Sequence, residues 1–268
     1  MAGYRQFHNL TSPAFGKAVA RQHLLVYPQL AELEADLEEL LAEGGIGLLT
    51  GELGVGKTTA LRHFLGGLGE HTCQVAYQGS TRHATALLES LVESLGVAAA
   101  RQRPALLRQL SMLCARTWLE QRKRTLIVVD DAHLLDDDLL EDLRLLTNFE
   151  MDAADPLIMM LVGHPALRRR LRKPVHLALL DRVRMQYRLE GLSRDETVEY
   201  IEHHMRQAGG KGDIFTPEGK AAVFEHAQGI PRRINALALA CLKRSATRKL
   251  SSIDAELVGA VAPLLNKD

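Results

Sequence analysis

Hydrophobic residues change their spacing twice along this chain. From Tyr27 to Leu41, the run YPQLAELEADLEELL places Leu30, Leu33, Leu37, Leu40 and Leu41 three or four residues apart or adjacent on one helix face. Gly44 and Gly45 stop that helix. Short apolar runs then alternate with helical patterns. Strands are predicted over 46–50, 74–78, 125–130, 157–163 and, more weakly, 185–189; helices are predicted in TTALRHFLGGL, over 85–95 and over 105–121. Strands alternating with helices imply a parallel sheet covered on both faces. After Gly191 the pattern becomes helical throughout. SRDETVEYIEHHMRQAG, TPEGKAAVFEHAQG, PRRINALALACLKRSAT and SSIDAELVGAVAPLL each open near a Ser, Thr or Pro signal, and several stop near Gly.

The chain therefore divides into a polar N-terminal arm or loosely packed lead-in over 1–22, an α/β domain over 23–190 and a small helical domain over 191–268. At 268 residues it is long enough for a sizeable core, and 46% hydrophobic with 25% charged residues is ordinary for a globular protein. Net charge is zero, so bulk charge neither favours nor excludes a polyanionic partner. Charge is nonetheless segregated. Asp130–Asp155 holds ten acids and one base, and His164–Arg188 holds eight Lys/Arg and one acid, Asp181. The basic stretch reads as a phosphate-facing or acid-facing surface, or as a solvated helix face. Cys73, Cys114 and Cys241 are far apart with no CxxC pair, which fits a reduced cytoplasmic setting. The N-terminus carries no apolar targeting segment, and Leu157–Val162 is far too short to cross a bilayer. In EYIEHH the spacing is not HExxH and reads as a solvated helix face; Trp118, at helical spacing with Leu110, Leu113 and Cys114, reads as core.

The strongest chemical signal is GELGVGKTT over 51–59, which fits G-x-x-x-x-G-K-[ST] between a predicted strand and a predicted helix. Its glycines let backbone N–H groups wrap a phosphate, and the following helix N-terminus adds positive potential. The nucleotide-binding residues are Gly51, Glu52, Gly54, Val55, Gly56, Lys57, Thr58 and Thr59. Lys57 is expected to reach the β- and γ-phosphates of ATP, and Thr58 to ligate Mg²⁺. The tandem acids Asp130 and Asp131 end the third predicted strand. Asp130 is placed to hold Mg²⁺ through water. Asp131 is placed to polarise the attacking water, or else to cap a helix starting near Leu134.

GLLTGELGVGKTT, LIVVDDAHLL, MLVGHPALRRRL, LDRVRMQYRLEGLSRDETVEYIEHHMRQAG, FTPEG and GIPRRINALALACL follow one another in order. Together they resemble the ExeA/GspA-like AAA+ ATPases, a group related to transposition helpers of the TnsC and MuB kind. The resemblance runs from about residue 7 onward. It implies a P-loop AAA+ core with a five-stranded parallel sheet in the order 5-1-4-3-2 and a C-terminal helical lid. It implies that Lys57 and Thr58 are Walker A residues and that Asp130 and Asp131 are Walker B residues, with aspartate where the family usually has glutamate. It implies that His164 is a sensor contacting the γ-phosphate or water; the plain alternative is a strand-end residue before Pro165. Arg182, with Arg184 as understudy, corresponds to the arginine that reaches a neighbouring subunit's ATP, or is an ordinary surface arginine. Arg232 corresponds to the lid arginine that senses phosphate, or is simply a helix N-terminal residue after Pro231.

Two functions compete under that resemblance. A transposition helper would assemble on double-stranded DNA, without sequence preference, as a hexameric ring or helical filament and recruit a transposase or a targeting adaptor. A secretion-associated ATPase would assist assembly of an envelope complex. The second type generally carries a membrane segment and a wall-binding domain after its ATPase, and the sequence given stops at Asp268, so the expectation is the transposition helper, cytoplasmic and bacterial, with no membrane contact. Arg82, Arg101 and Arg103 are the candidate DNA-backbone contacts. A carboxylate at Asp131 is one methylene shorter than glutamate, and misplacement on the order of 1 Å can cost about 10²-fold in rate, so slow hydrolysis is expected.

Overall fold

The computed structural model describes residues 3–16, 24–69, 71–79, 83–149, 155–210 and 213–265. By their contacts these fall into two units. One contains Pro28–Glu52 and Lys57–Leu189; the other contains the described parts of Met1–Tyr27, Leu53–Gly56 and Glu190–Asp268.

In the α/β unit the described strands are β1 (Gly45–Thr50), β2 (Cys73–Gln78), β3 (Arg124–Val129), β4 (Leu157–Gly163) and β5 (Val183–Arg188). They form one parallel sheet in the order β2-β3-β4-β1-β5, the order the resemblance implied read from the other edge. Position in the sheet explains composition. Central β4, LIMMLVG, is buried at every residue, whereas edge strand β5, VRMQYR, buries only Met185. The unit's helices are α2 (Pro28–Glu43), α3 (Lys57–Leu65), α4 (Ala84–Ser94), α5 (Arg103–Gln121), α6 (Asp137–Leu145), α7 (Pro165–Leu171) and α8 (Leu177–Leu180). α2 buries Leu30, Leu33, Leu37 and Leu40, four of the five leucines of the stripe read from sequence; Leu41 is half-buried. Trp118 is half-buried, with the Arg124 guanidinium 5.7 Å from its ring centroid.

Register lines up the carboxyl ends of the strands. Thr50 lies opposite Gly163, Val129 opposite Leu161, and Gln78 opposite Val129. The loops after β1, β3 and β4 therefore emerge from one edge of the sheet, where ligands of open α/β sheets bind.

The helical unit contains α9 (Arg194–Gln207), α10 (Pro217–Ala227), α11 (Pro231–Arg248) and α12 (Ala255–Leu265), with a parallel bridge between Phe215 and Ile253. Ser193 and Glu196 form a reciprocal capping box on α9, and Thr216 caps α10. Gly229 has φ +68°, and a Cβ there would fall 2.0 Å from the Leu192 carbonyl oxygen, so only glycine fits.

Two sequence readings change here. The N-terminal residues read as an arm include α1 (Tyr4–Phe7) and bury Leu10, Ala14 and Phe15 in the core of the helical unit. The Thr11 N–H and hydroxyl both reach the Ala208 carbonyl, and His8 Nε2 lies 2.8 Å from Ser245 Oγ. His204, read as part of a solvated face, is only 8% exposed and packs between Phe15 and Tyr200, with ring centroids 5.3 and 4.4 Å away. His203 stands on its third side, with ring centroids 6.0 Å apart.

Candidate nucleotide site

β1 delivers the chain into the 51–59 loop, and α3 begins at Lys57. Gly54 and Gly56 have φ +84° and +112°, a backbone that residues with side chains rarely adopt. The Gly51 N–H donates to the Gly163 carbonyl at 3.2 Å, tying the loop's entry to the end of β4. Lys57 Nζ donates to the carbonyls of Gly51 at 2.7 Å and Glu52 at 3.1 Å, so the ammonium is held over the loop from which it would meet a phosphate.

β3 ends at Val129, which leaves Asp130 just past the strand, 8% exposed. Its carboxylate accepts three hydrogen bonds. Thr58 Oγ1 donates to Oδ2 at 2.6 Å, Tyr77 Oη donates to the same oxygen at 3.0 Å, and the Asp131 N–H donates to Oδ1 at 2.9 Å. Sequence placed Thr58 and Asp130 in one function, and the fold brings them together across 72 positions. Tyr77 lay inside a predicted strand with no signal of a partner. Burial first, and then the Asp130 charge, push its phenol up to about 12, so it stays a donor.

A hydroxyl and a carboxylate in contact at a helix N-terminus are hard oxygen donors and fit Mg²⁺. That ion keeps several waters and takes phosphate oxygens as well, so it needs few protein ligands. Among the described residues there is no cluster of three or more His, Cys, Asp or Glu that would cage a metal without such help.

Asp131 adopts φ +53° and leads into the 3₁₀ turn Ala132–Leu134, but its side chain makes no cap bond there. The helix read as starting near Leu134 is α6, and Asp136 caps it by accepting from the Leu139 N–H at 2.7 Å. The capping alternative for Asp131 is therefore set aside. Its Oδ1 lies 4.0 Å from His133 Nδ1. Burial lowers the His133 pKa, with the Asp131 charge opposing that shift.

His164 caps α7: its Nδ1 accepts from the Ala166 N–H at 3.3 Å. That leaves Nε2 to carry the ring proton, 3.2 Å from Glu52 Oε2. The His164 N–H in turn lies 3.4 Å from His133 Nδ1. Glu52, His164, His133 and Asp131 thus form a chain of contacts at the carboxyl edge of the sheet.

The other expected residues lie elsewhere. Arg182 immediately precedes β5, where its carbonyl accepts from the Ile46 N–H and its guanidinium lies 3.4 Å from Thr147 Oγ1. That is the amino-terminal edge of the sheet, about 13 Å from the end of β1 at roughly 3.3 Å per strand residue. Arg184 is engaged there by the Glu43 carbonyl at 2.9 Å and by Asp155. Within the helical unit, Arg232 is exposed and second in α11, and its N–H donates to the Gly54 carbonyl at 3.2 Å. Arg101 is exposed. Arg103 is ion-paired with Asp142, which raises its pKa chiefly through their hydrogen bond. Arg82 lies outside the described residues.

Residues 41–171 match the family of the AAA domain. The chain has an AAA+ fold. Solved structures extend the likeness of fold over most of the sequence. It superposes on the Aeropyrum pernix ORC2 protein, solved as ADPNP-ADP complexes, with a TM-score of 0.69 at 16% identity, covering 93% of this chain and 70% of that one. It superposes on Drosophila ORC bound to DNA with a TM-score of 0.67 at 16% identity, covering 98% and 73%. At such identity the likeness is one of fold. General secretion pathway protein A of Aeromonas hydrophila is 33% identical over 237 residues, 87% of this chain. The chain spans only 43% of that relative's length, so the point at which the sequence stops does not separate the two functions weighed above. Among the described residues no helix is long and apolar enough to cross a membrane.

Proposed function

We propose that this AAA+ chain binds ATP with Mg²⁺, hydrolyses it slowly, and uses the bound nucleotide to control assembly of a secretion-associated envelope complex. The observation that carries the ATPase reading is the 2.6 Å contact between Thr58 and Asp130, which joins the phosphate loop to the strand-end acid. When bound, the magnesium nucleotide supplies a transferable phosphoryl group whose charge is partly neutralised. The chain's residues do the rest. Lys57 exchanges loop carbonyls for phosphate oxygens, Thr58 and Asp130 hold the cation, and Asp131 orients the attacking water from a position one methylene short. Arg182, from a neighbouring copy, and Arg232 take the charge-neutralising roles that the resemblance implies.

The secretion context is supported by the 33% identity to General secretion pathway protein A. It is tested by replacing the chromosomal gene with Lys57→Ala and measuring export of a secreted reporter. Reduced export supports the proposal, and unchanged export removes it.

A second reading, ATP-dependent binding to duplex DNA as a transposition helper, is favoured by the likeness to an ORC assembly solved on DNA. Arg101 is the exposed candidate contact. Retention of duplex DNA by the protein with a non-hydrolysable ATP analogue, weakening steeply with salt, would support it. No retention at low salt would exclude it.

A further inference from the structure

β2 and β3 run in parallel with Tyr77 opposite Val128 and Gln78 opposite Val129. Side chains alternate between faces along a strand, so Asp130, two residues beyond Val128, projects on the same side as Tyr77. An aromatic side chain is long enough to span that diagonal. The phenol accordingly reaches Asp130 Oδ2, the same oxygen that accepts from Thr58.

A carboxylate offers about four acceptor positions. At Asp130, Thr58 and Tyr77 occupy both positions of Oδ2, and the Asp131 N–H occupies one of Oδ1. The Thr58 bond is compatible with a cation, because a hydroxyl that donates its hydrogen still has lone pairs for a metal. The Tyr77 bond has no such second use. Its hydrogen fills a position on the oxygen nearest the Thr58 hydroxyl, where a water on a Thr58-bound cation would otherwise donate. Magnesium sites of this kind depend on such waters, since the ion gives up its hydration shell reluctantly.

We propose that Tyr77 is a positioning residue that competes with the cation's water shell for Asp130, holding the carboxylate in place while weakening divalent-ion loading. This rests on the reading of Thr58 and Asp130 as the cation site. Tyr77 lies on an edge strand and is 43% exposed, so the phenol can be changed with little effect on the core.

The test is Mn²⁺ binding to the ADP-saturated full chain, followed by loss of the free-ion electron paramagnetic resonance signal. Tyr77→Phe keeps the ring and removes only the competing hydrogen. The variant should bind Mn²⁺ about five- to tenfold more tightly, the factor a single net hydrogen bond is worth. Binding of ADP in EDTA and the thermal midpoint should match wild type. Unchanged or weaker Mn²⁺ binding in a folded variant would overturn the role of Tyr77. Failure of the wild-type ADP complex to bind Mn²⁺ at all would instead overturn the cation site itself.

Discussion

Glu52 Oε2 and His164 Nε2 stand 3.2 Å apart, linking the phosphate loop to the first residue past β4. His164 is locked as a donor at Nε2 because Nδ1 already accepts from the Ala166 N–H. The His164 imidazole is therefore held by a carboxylate that shares its loop with Lys57. Glu52→Gln removes a negative charge beside the phosphate site. It should tighten ATP binding about two- to fivefold at low salt, the scale of an exposed ion pair. The gain should shrink as ionic strength rises. Equilibrium titration with a fluorescent ATP analogue at two salt concentrations measures both.

Lys57 is the charge proposed to meet the phosphates. Lys57→Met should weaken ATP binding by tens- to hundredfold, the range of a lost charge-assisted hydrogen bond. The thermal midpoint should move little, because the ammonium is half-exposed and bonds to two loop carbonyls. The same titration, run beside a melting curve, checks the separation.

The proposed role of Asp131 is to orient the attacking water. Asp131→Asn should leave ATP binding intact and lower single-turnover hydrolysis by about 10² or more, the scale of losing a general base. Asp131→Glu should raise turnover by extending the carboxylate toward the water. Unchanged rates in both variants would remove Asp131 from the chemistry.

The helical unit should be acid-sensitive. Burial, reinforced by neighbouring His203, lowers the His204 pKa from 6.5 to about 4. Between those values the unfolded chain binds a proton that the folded chain refuses, so stability present above pH 6.5 is lost as pH falls toward 4. The loss amounts to roughly 3 kcal/mol at most at 1.36 kcal/mol per pKa unit. Burial lowers the pKa of His8 as well, which adds in the same direction. Urea denaturation at pH 7 and pH 4.5 should show the drop, and His204→Phe should flatten it.

Phe15 tests the N-terminal segment. It is 4% exposed, and Phe15→Ala should cost about 3–5 kcal/mol of helical-unit stability, as for other buried aromatics. A solvated arm would change by no more than about 0.5 kcal/mol. Denaturant midpoints distinguish the two.

Much of this was legible in the chain because local pattern and global fold agree. Buried parallel strands are continuous apolar runs, which is why Leu157–Gly163 was bounded correctly. GELGVGKTT is one contiguous loop whose chemistry is local. Long-range partners outside the phosphate loop and the strand-end acids left no trace. Tyr77 meets Asp130 across 53 positions, and Arg103 meets Asp142 across 39, and neither pair has a sequence spacing that announces it. The N-terminal segment was misread because Leu10, Ala14 and Phe15 lie in neither a helix nor a strand, so no run of regular spacing marks them. They pack through an irregular path with positive φ at Asn9 and Phe15.

The most direct measurement is equilibrium titration of a fluorescent ATP analogue against wild type and Asp130→Asn, each with and without Mg²⁺. Wild type should bind saturably and more tightly with the ion, whereas Asp130→Asn should bind equally with and without it. No saturable binding by wild type, or full magnesium dependence in Asp130→Asn, would contradict a nucleotide site built on Thr58 and Asp130.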